Sequence, residues 1–246
     1  MQGVDVFNEP VWKPFELLGL HHAALGINTH TIINTWLVLA FLCILIGIVR
    51  FYLFKKDSIV SFMVTYFTQS WMDLTTQTLG TFTYAHFAFV VALFIFIALC
   101  NMISLFPWIE EPTKDLNTTL ALGCISFFYK EIVNIKARGF FGFISEFFQP
   151  FFVMLPLNII SHYSKIISLS FRLFGNIFGG AIIVGIYRQA ISYSLISEII
   201  GLFGLNMIVI LFFVIFEGLM QSFVFSMLTL TYINIATEAS QTGEID

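Results

Sequence analysis

Long runs of apolar residues alternate with short polar stretches along this chain, and their lengths predict helices that cross a bilayer. Trp36 to Phe54 is apolar except for Arg50 near its end, and Phe87 to Trp108 carries no charge. Each matches the roughly 20 residues that span a hydrocarbon core about 30 Å thick. The expected spans are residues 34–54, 85–107 and 116–135, the last interrupted only by Lys130 and Glu131 near its end. Between the first two, residues 58–80 read differently. Ile59, Met63, Tyr66, Phe67, Trp71 and Leu74 recur at helical spacing, while Thr65, Gln69, Asp73 and Gln77 fill another face. That pattern predicts an interfacial amphipathic helix.

The C-terminal half does not divide into ordinary spans. After Pro156 little interrupts a helix until about Tyr187, and a further apolar run extends from about Ile196 to Ile235. Some 40 helical residues measure about 60 Å, twice the hydrocarbon thickness. The run can be cut at Gly201 and Gly204, or two long helices (residues 146–190 and 194–236) can lie strongly tilted as a hairpin. Length favours the hairpin. The fold expected is an all-α polytopic membrane protein of five to six helices in a single domain, after an extramembrane segment over residues 1–33.

Composition agrees. The 246 residues are 58% hydrophobic and 11% charged, against about 25% charged in soluble domains. The first thirty residues hold Asp5, Glu9, Lys13 and Glu16 without a continuous apolar core, so no cleavable signal peptide is expected. Lys55, Lys56, Lys136 and Arg138 follow the first and third spans, which puts those loops in the cytoplasm and the N-terminus outside. Cys43, Cys100 and Cys124 all lie in hydrophobic segments and suit neither a metal site nor a disulfide framework. His21, His22 and His30 lack the i, i+4 spacing of a helical metal pair. Phosphate loops, nucleophile elbows and basic clusters for nucleic acid are absent too. No cofactor or metal is expected.

The informative residues are polar groups inside the apolar runs. From Phe151 to Tyr187 the only formal charges are Lys165 and Arg172. An arginine costs about 2.5–3.5 kcal/mol at a membrane-helix centre on insertion scales, and such residues mark function by default. Ser168, Arg172 and Asn176 are spaced i, i+4, i+8 and form one polar stripe. Gly175, Gly179 and Gly180 lie near it, and small residues let another helix approach closely. On the last helix Glu217 and Gln221 are again i, i+4, with Ser222 alongside. An acid among apolar neighbours suits a proton relay, the reading preferred here over a neutral hydrogen-bonding acid or a direct partner of Arg172. His162 shares a face with Asn158 ten residues before Arg172, and a histidine there can pass protons or simply be hydrogen-bonded.

These residues carry a resemblance. "SLSFRLFGNIFGG" strongly resembles the signature of subunit a of F-type ATP synthases, in a form more bacterial or plastid than mitochondrial. "EEPTKDLNTTLAL", "IKARGFFGFISEF", "LPLNIISHYSKIISLS" and "QSFVFSMLTLTYI" resemble further family segments, with weaker matches at "CNMISLFP" and "INTHTIINTW". The resemblance implies a non-catalytic stator channel subunit in a bacterial inner membrane. Its partners would be the c-ring, the peripheral-stalk b subunits and the rest of the complex. Arg172 would align with the essential arginine, Asn176 and Gln221 with its polar neighbours, and Ser168 with a further polar position. Protons would pass through two offset half-channels to and from the ring carboxylates.

The chain departs from the family pattern at several positions. The family commonly has an acid or histidine where this chain has Ala181, a Glu or His seven residues before the glutamine where it has Val214, and proline where it has Ile166. Acids often stand where this chain has Ser161-His162. Glu217, one turn before Gln221, is read as the displaced relay acid. The rival class is a stand-alone secondary transporter or channel, which predicts internal repeats; no convincing repeat relates the two halves.

Overall fold

The computed structural model describes residues 11–12, 27–53, 59–106, 109, 111–148, 151–191, 208 and 211–242. The pair His21-His22, the acid Glu110, the lysines Lys55 and Lys56, and the glycines Gly201 and Gly204 lie outside the described residues. So do most of the N-terminal segment and the first part of the final expected helix.

The protein is an all-α polytopic membrane protein. Two dipeptides, β1 (Val11–Trp12) and β2 (Ile27–Asn28), pair antiparallel ahead of the first helix. Six α-helices follow: α1 Thr29–Leu53, α2 Ile59–Leu79, α3 Tyr84–Met102, α4 Leu116–Phe148, α5 Leu155–Ile191 and α6 Gly218–Thr242. A π-helical segment, Leu211–Glu217, runs directly into α6. Among the described residues, four stretches are long and apolar enough to cross a membrane: Thr29–Leu53, Tyr84–Leu105, Phe152–Tyr187 and Leu211–Glu238.

α4 departs from the expected 116–135 span. It runs on to Phe148 past a turn at Gly139, whose φ of 74° and ψ of 167° leave the helical region. Glycine adopts that positive φ without the Cβ penalty other residues meet. Residues 146–148 therefore belong to α4, and the long helix expected from 146 starts instead at Leu155, with Pro156 in its first turn, where no amide donor is needed. α4 is also absent from the four apolar stretches. Lys130, Glu131 and Asn134 dilute it, and all three are buried inside the protein.

The core sits where α3, α4, α5 and α6 meet. Leu93, Ile97, Leu122, Leu169, Leu173 and Phe225 form one buried cluster there. Trp71 of α2 joins Val90, Leu230 and Ile233 in a second. α1 is peripheral, with Val38 its one buried side chain. The polar face of α2 is quieted locally: Thr65, Thr68, Ser70, Thr75, Thr76 and Thr78 each donate a hydroxyl to the carbonyl four residues back. Backbone bonding of this kind lets a hydroxyl sit in an apolar setting.

The expected hairpin is present. Lys165 lies over the Tyr232 ring, Asn176 bonds Gln221, and Gly180 meets the Phe213 ring. As the position on α5 rises, its partner's falls, so the two segments run antiparallel. At 37 residues α5 is about 55 Å long, and a helix of that length fits a hydrocarbon layer of about 30 Å only if tilted.

Candidate ion-path site

One face of α5 is left uncovered by the described residues. Ser168 and Arg172 are both exposed on it, and Gly175 and Gly179 have nothing within 4 Å of where a Cβ would stand. Among the described residues no carboxylate pairs with Arg172, and Glu217 is not its partner. The glycines predicted to admit another helix divide by role. Gly175 and Gly179 open outward beside the arginine. Gly180 is buried, and a Cβ there would lie 2.9 Å from the Phe213 ring, so it admits the π-helical segment of the same chain.

One turn along from Arg172 the character changes. Asn176 is half-buried and donates its Nδ2 to Gln221 Oε1 at 2.9 Å. Gln221 is only 4% exposed, and its Nε2 has no hydrogen-bond partner among the described residues. Both line a cavity of about 270 Å³ whose walls also include Val214, Glu217, Glu111 and Lys114. A cavity of this size, with polar groups set in a mainly apolar lining, holds several waters, since each occupies about 30 Å³. It reaches from the loop between α3 and α4 to the amide pair beside Arg172.

The far end of the cavity is braced. Asn101 of α3 donates Nδ2 to the Gly218 carbonyl at 2.9 Å and accepts from Thr113 Oγ1 at 2.8 Å. Ser222 Oγ also donates to the Gly218 carbonyl, at 2.6 Å. The seam between the π-helical segment and α6 is thus tied to both α3 and the loop.

His162 belongs elsewhere. It is buried between α4 and α5, 10 residues and so about 15 Å along the helix from Arg172. Its Nε2 stands 2.7 Å from Glu131 Oε1, and Lys130 Nζ donates to the same oxygen at 2.8 Å. Phe127 and Phe147 pack edge-on against the imidazole. Asn158, on the same face, donates to the Phe147 carbonyl at 3.0 Å.

Residues 32–234 match the ATP synthase A chain family. The chain belongs to that family. It is 30% identical over 223 residues to the "ATP synthase subunit a, sodium ion specific" of Propionigenium modestum, covering 83% of this chain and 73% of that one. It is 34% identical over 207 residues to ATP synthase subunit a of Moorella thermoacetica, covering 82% and 88%. A third relative, ATP synthase subunit a 2 of Acaryochloris marina, is 34% identical over 155 residues, 62% of this chain and 61% of its own.

Within the ATP synthase A chain family the departures now have places. Val214, Glu217, Gln221 and Ala181 all line the one cavity. Positions 214 and 217 therefore share a wall. Near His162 a carboxylate comes from the neighbouring helix as Glu131.

The structure places Asn176, Glu217 and Gln221 on the walls of one cavity. Sequence reasoning did not place Asn101, Thr113, Glu111 or Lys114 at the site, nor Glu131 against His162. For Glu131 a signal existed, because adjacent opposite charges in an apolar helix call for a buried arrangement. For Asn101 the signal was a lone amide in a run without charge. Thr113 and the loop residues gave none.

Proposed function

We propose that this chain is the stator ion-channel subunit of an F-type ATP synthase, carrying protons through two offset half-channels to and from carboxylates on a c-ring. What carries this reading is that Arg172 stands exposed and, among the described residues, without a carboxylate partner, one helical turn from a wall of the cavity. Such a cation suits a counter-charge on another polypeptide. The smooth surface at Gly175 and Gly179 suits a second helix at that face.

The mechanism follows from charge and solvation. Water enters past Glu111 and Lys114, and Glu217 exchanges a proton with it. The proton passes by Gln221 and Asn176 to a ring carboxylate, which once neutral can face lipid as the ring turns. On the opposite side the returning acid meets Arg172, whose charge favours the carboxylate and releases the proton past Ser168. The His162 and Glu131 pair lies further along that side of α5, toward the part of α4 bearing Lys136 and Arg138. A fixed cation between the two paths also repels a proton attempting the direct route. Each charge crossing 100 mV yields about 2.3 kcal/mol, so several drive one ATP.

In this reading the chain performs no bond chemistry of its own. Its partners are the c-ring, the peripheral-stalk b subunits and the remaining subunits. It lies in a bacterial inner membrane with the N-terminus outside. The transported ion in this reading is the proton. The test is sided access. A cysteine replacing Val214 should react with a membrane-impermeant thiol reagent only from the outside, and one replacing Ser168 only from the cytoplasmic side. Reaction of both from one side would contradict offset half-channels.

A further inference from the structure

Asn101 lines the cavity but carries no charge and exchanges no proton, and neither sequence nor mechanism has given it a task. Its side chain is 2% exposed and both its polar ends are used: Oδ1 accepts from Thr113, itself fully buried, and Nδ2 donates to the Gly218 carbonyl. The approach is close. A Cβ on Gly218 would stand 3.1 Å from the Asn101 Cβ, so glycine is what lets α6 come within reach of the amide.

The carbonyl that Asn101 holds is at a particular point. Leu211–Glu217 follow π-helical geometry and Gly218 begins α6. π-helical segments are rare, and they persist where neighbouring contacts enforce them, frequently at functional sites. One residue's change of register turns the chain by about 100° in all, accumulated along the segment, so Leu211 moves most and Glu217, next to the seam, least. Glu217 is therefore placed by where the seam itself stands. With the Gly218 carbonyl released from Asn101, the start of α6 can draw off α3 and carry the Glu217 carboxyl with it.

We propose that Asn101 is a positioning residue for Glu217: clamped by Thr113, it holds the Gly218 carbonyl at the π-to-α seam and so keeps the Glu217 carboxyl in the cavity. Ser222 supports the same carbonyl from within α6, while Asn101 fixes it to α3. The inference rests on the cavity being the ion-entry path, and it assigns the α3–α4 loop a second task through Thr113.

The test uses the whole complex in right-side-out vesicles, with Cys43, Cys100 and Cys124 replaced by alanine. The rate at which a Glu217→Cys thiol reacts with an impermeant reagent reports its position. Adding Asn101→Ala, or separately Thr113→Val, should lower that rate by about tenfold. Labelling of Val184→Cys, on the α5 wall of the cavity, should stay as it was. An unchanged rate at Glu217→Cys overturns the proposal. An equal change at Val184→Cys overturns it too, since a general loosening would explain both. Loss of assembly in both variants reduces Asn101 to a structural contact and also overturns it. If Glu217→Cys does not react from outside even with Asn101 intact, it is the entry-path reading that fails.

Discussion

Asn176 of α5 donates its side-chain amide to Gln221 of α6 across 2.9 Å, one helical turn from Arg172. The bond joins the two helices of the hairpin at the inner end of the cavity, and it leaves Gln221 Nε2 unpaired beside the polar space. Gln221→Leu should therefore do two things: strand the Asn176 amide and remove a buried donor that is unpaired among the described residues. Side-chain hydrogen bonds between membrane helices average about 0.6 kcal/mol, so thermal stability of the complex should barely change. ATP-driven ion uptake should fall much further. Thermal inactivation measured alongside vesicle acidification separates the two, and a parallel loss in both would make the pair structural.

Glu217 and Val214 line the same cavity three residues apart. Glu217→Gln should slow pumping by about 10²-fold, the scale at which a positioned proton-transferring group contributes. Combining it with Val214→Glu should restore a substantial part, because the acid returns to the same wall. No recovery in an assembled double variant would show that the position of the acid, and not its access to the cavity, is what the relay needs.

Lys130, Glu131 and His162 form a buried charged cluster, with the two side chains of the lysine and glutamate 10% and 9% exposed. Removing one member of such a pair costs about 3–5 kcal/mol because the other charge is left buried and alone. Glu131→Gln should therefore destabilise the α4–α5 packing strongly. The double variant Lys130→Met with Glu131→Gln should be close to unchanged in stability. Comparative thermal inactivation of the purified complexes checks the order, and a double variant worse than either single one would contradict it.

Much of the fold was legible because membrane helices announce themselves by length and apolarity. The hairpin was legible from a length that no upright helix can fit, and the polar stripe of Ser168, Arg172 and Asn176 from simple spacing. What escaped had to do with contacts between distant parts. Nothing local in "KEIVNIKARGFF" says that the helix continues past Gly139, since glycine can both end a helix and bridge two helical runs. Glu131 belongs to His162, which is 31 residues away, and a single sequence carries no trace of that pairing. The π-helical segment was hidden for a related reason. Its residues, Leu211 to Glu217, have an ordinary helical composition, and its register is imposed by Asn101 and by the Phe213 ring seated on Gly180. Tertiary contacts selected a geometry that propensity does not encode.

The most direct measurement is ATP-driven acidification of inverted vesicles carrying the whole complex with Arg172→Ala. Complex assembly and ATPase activity of the head are followed in the same preparation. If Arg172 is the fixed cation between two offset half-channels, acidification is lost while the complex stays intact and the head still hydrolyses ATP. Normal coupled acidification from that variant would contradict the account and leave Arg172 a structural cation on an exposed helix face.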